Sequence, residues 1–256
     1  MTLQYKNTTI NYQIQGQGPA LILVHGFLES SKMWDSIIPN LTATHSVVTI
    51  DLPGHGLSGN LGQIHSMELM AAIVQSVLDT HNIKSAIAVG HSMGGYVFLA
   101  LAQLNPAYIS KLILLNSSPY PDNMERLKSR RQALKLLKTI PDKFISMAIT
   151  NLFAVQNQER LSTQISSLKQ EALAMNLEGI TAAIRGMMQR PNRSMVLKQY
   201  GVNAAIIASE EDPLIPIALI RELARKNGNL FIALPGGHMS TYEHPKLSAK
   251  AIQELC

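Results

Sequence analysis

Short apolar runs alternate with stretches of helical spacing along most of the chain. Ala20–Val24 contains only apolar residues, which is typical of a strand buried on both faces of a sheet. Further short apolar runs predict strands at Ser46–Ile50, Ala86–Val89, Lys111–Leu115, Ala204–Ala208 and Leu230–Leu234. Between them, apolar residues three and four positions apart predict helices at Met67–Asp79, Met93–Leu104, Ile217–Lys226 and Lys246–Leu255. This alternation predicts an α/β protein whose mainly parallel sheet carries helices on both faces.

The start of the chain and one long internal segment depart from the alternation. Leu3–Tyr5 and Ile10–Ile14 are short runs at the start of the chain and predict an antiparallel entry into the sheet. Residues 119–203 show helical patterns only, interrupted by prolines. The sequence therefore predicts a core formed by residues 1–118 and 204–256, with a helical block, residues 119–203, inserted between two strands.

Composition and charge narrow the function classes. The 256 residues are 46% hydrophobic and 15% charged, which excludes a largely disordered chain. The helical block holds 13 Lys and Arg against 6 Asp and Glu, so the basic excess of the chain lies in this block. Because aromatic residues make up only 5% and no nucleic-acid motif is present, we expect no nucleic-acid partner.

Cysteine usage and the apolar runs bear on the compartment. Cys256 is the only cysteine, so neither an internal disulfide nor a cysteine-rich zinc site can form. No secretory signal and no apolar run of membrane-spanning length is recognisable. The spacing of the histidines does not suggest a metal site. We therefore expect a cytoplasmic protein without integral membrane association, and the sequence leaves a homodimer open.

A candidate nucleophile lies at the turn from a predicted strand to a predicted helix. The segment Gly90–Gly95 contains the pattern Gly-x-Ser-x-Gly around Ser92. Glycines on both sides remove the Cβ atoms that would clash in such a sharp turn, and the turn exposes the serine hydroxyl. The N–H of Met93, at the start of the helix, is then placed to donate to a developing oxyanion. A plain glycine-rich turn is the alternative interpretation.

A serine hydroxyl needs an adjacent base, and His238 is the candidate. It follows the last predicted strand after two glycines, at the sheet edge where Ser92 is also expected. Asp212 follows the preceding strand and is placed to orient the imidazole, although Glu210 and Glu211 are rival carboxylates. The order Ser92, Asp212, His238 is the order of the triad in α/β-hydrolases.

Taken together, four motifs resemble the α/β-hydrolase superfamily, in its capped serine-nucleophile branch of esterases, perhydrolases and carbon–carbon hydrolases. They are His25–Phe27, Asp51–Ser58, Gly90–Gly95 and Gly237–Pro245. The resemblance covers about 170 residues, everything outside the helical block. It implies the α/β-hydrolase fold, a doubly wound sheet with an inserted helical cap at residues 119–203. One departure is Ser209, where many relatives carry glycine, and this loosens the register at Asp212.

The resemblance also implies roles for further residues. Phe27 would supply a second oxyanion N–H beside that of Met93, while His25 and His55 would hold loops. The cap would cover the active site and set the choice of substrate. A serine nucleophile argues against the dehalogenase and epoxide-hydrolase branches, which use aspartate.

The predicted function is a serine hydrolase that cleaves small carboxylic esters or thioesters through an acyl-enzyme, without a metal or organic cofactor. The same triad also supports carbon–carbon bond hydrolysis, perhydrolysis or a lyase reaction, which a substrate panel would separate. A ligand-binding protein of receptor type is a further alternative, disfavoured by the intact triad.

The first helix of the block has an ambiguous pattern. Its leucines fall near one face, and its basic residues lie mostly elsewhere, among them Arg126 and Arg130. We expect the leucines to pack over the site and the charges to be solvated; a membrane surface or an anionic substrate is the alternative. Several apolar residues predict a soft lining for the cap, with packing in the core as the alternative interpretation: Met147, Phe153, Met175, Met187 and Met188.

Overall fold

The computed structural model describes residues 1–256 and contains one eight-stranded sheet. The strands are β1 (Thr2–Tyr5), β2 (Thr8–Gln15), β3 (Ala20–Val24), β4 (Ser46–Ile50), β5 (Ala86–His91), β6 (Ile109–Leu115), β7 (Ala204–Ser209) and β8 (Leu230–Leu234). Their spatial order is β1-β2-β4-β3-β5-β6-β7-β8. The pair β1–β2 and the pair β2–β4 are antiparallel, and all later pairs are parallel. The predicted antiparallel entry and parallel sheet are therefore confirmed.

The strand order places a crevice at the centre of the sheet. From β3 the chain moves to β4 on one side and then returns to β5 on the other side. The connections after β3 and after β5 thus diverge at the carboxyl ends of two neighbouring strands. Such a switch point is where open α/β sheets bind their ligands. Here it brings together the segments that follow Val24 and His91.

Helices cover both faces of the sheet. They are α1 (Ile38–Leu41), α2 (Met67–Thr80), α3 (Met93–Leu104), α4 (Met124–Thr139), α5 (Pro141–Thr150), α6 (Ser162–Leu173), α7 (Leu177–Gln189), α8 (Ser194–Tyr200), α9 (Ile217–Asn227), α10 (Ser240–Glu243) and α11 (Pro245–Leu255). Four short 3-10 helices are Ser31–Trp34, Pro106–Tyr108, Val155–Asn157 and Gly201–Asn203.

Side chains alternate along the strands between two hydrophobic clusters. In β3, Ile22 and Val24 join a large cluster with α2, α3 and α9, whereas Leu21 and Leu23 join a smaller one with α1 and α11. A period of two sends successive side chains to opposite faces, so a strand buried on both faces must be apolar throughout. This explains why β3 contains no polar residue.

Five α-helices, α4–α8, lie between β6 and β7, in the segment for which the sequence predicts the cap. Their buried side chains belong to the same large cluster as one face of the sheet. Helix α7 approaches the core closely at two glycines. A Cβ at Gly179 would lie 2.5 Å from the Cα of Gly54, and one at Gly186 would lie 1.7 Å from the carbonyl oxygen of His65. The limits of the cap as a domain remain a prediction.

The expectation for helix α4 is wrong in part. Leu137 is its only buried residue, and Met124 is largely exposed. Two of its basic residues are only partly solvated, because the side chains of Arg126 and Arg130 are 31% and 14% exposed and line a cavity. A one-dimensional pattern could not reveal this, since Arg carries an apolar stem that packs against the core while its charge reaches a buried partner. No helix of the protein is both long and apolar enough to cross a membrane.

Candidate active site

Ser92 lies in a strained turn between β5 and α3. Its φ and ψ are 49° and −111°, a combination that residues with a side chain rarely adopt. The turn is tight enough to require glycine at two positions. A Cβ at Gly90 would lie 2.4 Å from the carbonyl carbon of Gly94, and one at Gly94 would lie 2.2 Å from the carbonyl oxygen of Val24. The Gly-x-Ser-x-Gly pattern therefore has a steric reason in this structure.

Neighbouring strands hold the turn in place. The Ser92 N–H donates to the carbonyl of Leu115 at 3.0 Å, and the hydroxyl of Ser117 donates to the Ser92 carbonyl at 2.6 Å. Both partners lie at the carboxyl end of β6. With its backbone N–H and C=O satisfied, the strained conformation of Ser92 is fixed by the sheet.

His238 follows β8 and is almost fully buried. Its backbone N–H donates to the carbonyl of Leu152, in the segment after α5, at 2.8 Å. Its Nδ1 lies 2.7 Å from Oδ2 of Asp212. When Nδ1 carries the proton toward the carboxylate, Nε2 is left as an acceptor. Ser92 and His238 line the same cavity, although no hydrogen bond joins the two side chains.

Asp212 is the carboxylate that the structure brings to His238. Its Oδ1 accepts from the backbone N–H of Leu214 at 2.8 Å and of Ile215 at 3.1 Å, and its Oδ2 also accepts from Nδ2 of Asn116 at 2.9 Å. Burial alone would raise the pKa of Asp212, but the His238 ring and these donors outweigh it and lower the pKa.

The rival carboxylates point elsewhere. Glu210 and Glu211 are exposed, and Glu211 contacts Gln156. Neither makes a hydrogen bond to His238. Ser209, where the resemblance to the family led us to expect glycine, is buried, and its hydroxyl lies 3.4 Å from Oδ1 of Asn116.

The backbone N–H groups of Phe27 and Met93 have no acceptor within the protein. Phe27 follows β3 and lines the cavity, and Met93 is the first residue of α3. They thus come from the two segments that meet at the switch point of the sheet. The start of α3 adds the positive end of the helix dipole. Together these groups are suited to stabilise negative charge on an oxygen.

A buried ion pair beside the site was not predicted from the sequence. Oε2 of Glu29 lies 2.8 Å from Nδ1 of His91, and it also accepts from the backbone N–H of Gly26 at 2.7 Å. Nε2 of His91 lies 2.9 Å from the carbonyl oxygen of His238. The only available signal was position, since His91 precedes Ser92 and Glu29 follows Phe27 by two residues.

The pKa shifts of this pair agree with opposite charges. Burial alone would raise the pKa of Glu29, but the His91 ring outweighs it and lowers the pKa. Burial alone would lower the pKa of His91, but Glu29 and the His238 carbonyl outweigh it and raise the pKa. Because both His91 nitrogens face acceptors, we describe this ring as an imidazolium.

Glu243 is a third residue that the sequence pattern did not single out. It is 2% exposed and accepts hydrogen bonds from Gly237 N–H at 2.9 Å, Ala154 N–H at 3.2 Å and Asn157 Nδ2 at 2.7 Å. Gly237 immediately precedes His238. Glu243 therefore joins the histidine loop to the segment that follows α5.

His25 and His55 hold loops. Nδ1 of His25 lies 2.7 Å from the carbonyl of Gly26, and Nε2 accepts from the Leu52 N–H at 2.9 Å. Burial lowers the pKa of His25, and it lowers that of His55 to about 3. Nδ1 of His55 lies 3.1 Å from the Pro53 carbonyl. Both rings are thus neutral near pH 7 and fix the loops after β3 and β4.

The cavity above Ser92 is small, with a volume of about 80 Å³. Beside Ser92, His238 and Phe27 it is lined by Leu28, Glu29, Tyr96, Arg126, Arg130, Ala148, Leu152, Met187 and Leu214. Of the residues expected to form a soft apolar lining, Met187 alone lies here. Phe153 and Met175 are buried in the large hydrophobic cluster, and Met147 is half exposed.

Comparison with known proteins identifies the family. The model of the alpha/beta hydrolase fold family matches residues 19–245, so the chain belongs to this family. An uncharacterized hydrolase of Bacillus subtilis (strain 168), YugF, is 27% identical, over 96% of this chain and 92% of its own. A pimeloyl-[acyl-carrier protein] methyl ester esterase of Vibrio atlanticus (strain LGP32) is 28% identical over 85% of each chain.

Among solved structures, a thermophilic esterase from Thermogutta terrifontis, with malate bound, is 26% identical with a TM-score of 0.91. The match covers 96% of this chain and 92% of the esterase. The protein is a hydrolase of the α/β fold with relatives of esterase type, and the predicted fold class is confirmed.

Proposed function

We propose that this protein is a serine hydrolase that cleaves small carboxylic esters or thioesters with Ser92, His238 and Asp212. The observation that carries the proposal is a single cavity that contains Ser92, in its strained turn, and His238, paired at 2.7 Å with the buried Asp212. The esterase relatives support the choice of an ester as the substrate.

In the proposed first half-reaction, the Ser92 Oγ attacks the ester carbonyl carbon while Nε2 of His238 takes the hydroxyl proton. The carbonyl oxygen becomes negative and accepts hydrogen bonds from the N–H groups of Phe27 and Met93. Asp212 stabilises the imidazolium that forms. The bond from the carbonyl carbon to the leaving oxygen or sulfur then breaks, and His238 returns the proton to the leaving group.

In the second half-reaction, water attacks the acyl-enzyme and gives its proton to His238. The carbonyl carbon forms a bond to the water oxygen and loses its bond to the Ser92 Oγ, which takes back a proton from His238. The products are a carboxylic acid and an alcohol or thiol. This scheme uses only groups of this chain and water, and the small volume of the cavity favours short acyl chains.

Hydrolysis of p-nitrophenyl esters, from acetate to decanoate, by the wild type and by Ser92→Ala tests the proposal. We expect turnover by the wild type alone, with the shortest esters preferred. Failure of the folded wild type to hydrolyse any ester, or equal rates for the two proteins, would contradict it. Labelling by a fluorophosphonate, followed by intact mass, checks the nucleophile without turnover, and Ser92→Ala should stay unlabelled.

A further inference from the structure

Two arginines of helix α4 enter the cavity that contains Ser92. Arg126 and Arg130 are four residues apart and therefore lie on the same face of the helix. Both line the cavity together with Ser92 and His238. A cavity that held only an apolar ester would not need either charge, and burying a guanidinium is costly unless it is paired.

The protein compensates little of this positive charge. Asp122 is fully buried and contacts three guanidinium groups. It binds Arg130 through Oδ2, lies 2.8 Å from Nη2 of Arg190 through Oδ1, and lies 3.9 Å from Nε of Arg126. One carboxylate thus faces three cations.

Two other carboxylates lie near the cavity. Glu29 is neutralised by its ion pair with His91. Asp212 is bound to His238, which is neutral when it acts as the base, so Asp212 adds one negative charge. The three guanidinium groups then face two carboxylates, Asp122 and Asp212, and one positive charge is left without a partner.

The protein binds the guanidinium of Arg190 on several sides, whereas those of Arg126 and Arg130 keep donors without an acceptor. Arg190 donates to the carbonyls of Tyr120 and Met187, and its guanidinium lies 4.0 Å from the ring centroid of Tyr96. The side chain of Arg126 makes one hydrogen bond, from Nη1 to the Leu214 carbonyl at 2.9 Å, and the side chain of Arg130 bonds to the protein through Nε alone. Both terminal nitrogens of Arg130 and Nη2 of Arg126 have no acceptor within the protein.

We infer that Arg126 and Arg130 form an anion subsite of the active-site cavity, and that the substrate is a small ester with a carboxylate near its scissile carbonyl. The planar fork of a guanidinium matches the two oxygens of a carboxylate. The cavity is small, so only a few atoms separate this carboxylate from the carbon that Ser92 attacks. This inference rests on the proposed function for the reaction, but binding of the anion is testable without it.

The kinetic test compares monomethyl glutarate, an anion, with its neutral counterpart dimethyl glutarate. We expect the wild type to have the higher kcat/KM for the anion. Arg126→Gln should lower the ratio of the two kcat/KM values by about ten- to hundredfold, the range for hydrogen bonds to a charged group. Arg131→Gln is the matched control, because this exposed arginine lies on the same helix and should leave the ratio unchanged.

A second pair of esters places the charge on the other side of the scissile bond. Acetoxyacetate carries its carboxylate on the alcohol side, and its kcat/KM is compared with that of the neutral ester ethyl acetate. In either pair of esters, a preference for the charged ester that is lost in Arg126→Gln supports the inference. The pair that shows this preference tells which side of the ester carries the charge. Equal or better hydrolysis of both neutral esters by the wild type would overturn it. So would an equal loss on charged and neutral esters in Arg126→Gln.

A binding measurement separates this inference from the proposed function. Calorimetry with glutarate and Ser92→Ala should show binding that the further change Arg126→Gln weakens at least tenfold and Arg131→Gln does not. Such binding without any ester hydrolysis would retain the subsite and contradict the proposed function. Ester hydrolysis that depends on Ser92, without glutarate binding, would retain the proposed function and overturn the subsite.

Discussion

Glu29 and His91 form a buried ion pair, 2.8 Å long, that connects the two sides of the candidate active site. The same Glu29 oxygen accepts from the N–H of Gly26, which precedes the proposed oxyanion residue Phe27. The other nitrogen of His91 contacts the carbonyl of His238. One pair thus positions the loop after β3 and the loop after β8. It has no direct contact with the reacting atoms in the proposed mechanism.

Removing the charge of Glu29 should therefore destabilise the protein. Glu29→Gln leaves His91 without its counter-ion in a fully buried position, so the free energy of unfolding should fall by about 3 kcal/mol. Urea unfolding near pH 6 measures the change. Glu210→Gln removes an exposed charge and serves as the control, with a change within about 0.5 kcal/mol. Equal stability of the two variants would show that the pair contributes nothing.

The difference in unfolding free energy between wild type and Glu29→Gln should become smaller at both low pH and high pH. The lowered pKa of Glu29 gives stability that is present above its ordinary pKa of 4.5 and is lost as the pH falls through the lowered value. The raised pKa of His91 gives stability that is fully present below its ordinary pKa of 6.5 and is lost as the pH rises through the raised value. The stability difference between wild type and Glu29→Gln should be largest between pH 4.5 and pH 6.5, the ordinary pKa values of the two groups. A difference independent of pH would contradict the charge assignment.

Asp212 should be distinguishable from its acidic neighbours by activity. Asp212→Asn keeps the shape but removes the charge that stabilises the imidazolium of His238, so kcat should fall by about a thousandfold or more. Glu211→Gln is the control, because Glu211 is exposed and contacts only Gln156. Ester hydrolysis under saturating substrate measures both variants. A harmless Asp212→Asn together with a crippled Glu211→Gln would reverse the assignment.

The turn at Ser92 should tolerate no added methyl group. Gly94→Ala would place a Cβ 2.2 Å from the backbone oxygen of Val24, and a strand of the sheet cannot move aside cheaply. We expect a loss of several kcal/mol in unfolding free energy, or failure to fold. Gly62→Ala is the control, since nothing lies within 4 Å of the new Cβ. It should cost only about 1 kcal/mol for its positive φ. Equal losses of unfolding free energy in Gly94→Ala and Gly62→Ala would mean that the contact between Gly94 and the Val24 carbonyl does not restrict residue 94 to glycine.

Much of the fold could be predicted from periodicity because its strands are short, apolar and separated by regular helices. All eight strands, including β3 and β8, were predicted to within two residues at each end. The place of Ser92 also followed from sequence, since a local turn requires its glycines. Arg130 was predicted to be solvated and is not, because its partner Asp122 and the cavity belong to the tertiary structure. Glu29 and His91 are 62 residues apart, and no local pattern connects them.

Glu243 should affect activity through the position of His238. Its carboxylate holds the Gly237 N–H at 2.9 Å and, through Ala154 and Asn157, ties the histidine loop to the segment after α5. Glu243→Gln replaces one acceptor oxygen with a donor, so at least one of these N–H groups loses its partner. We expect kcat to fall about tenfold or more while the protein remains folded.

Two readouts separate this positioning role from a general loss of stability. The unfolding midpoint in urea reports stability, whereas the rate of labelling of Ser92 by a fluorophosphonate reports how well His238 is placed to accept the serine proton. Labelling should slow in Glu243→Gln under conditions where the variant is fully folded. The control Glu254→Gln, on the exposed side of α11, should label like the wild type. If Glu243→Gln lowers only the unfolding midpoint and labels at the normal rate, Glu243 stabilises the loop without positioning His238.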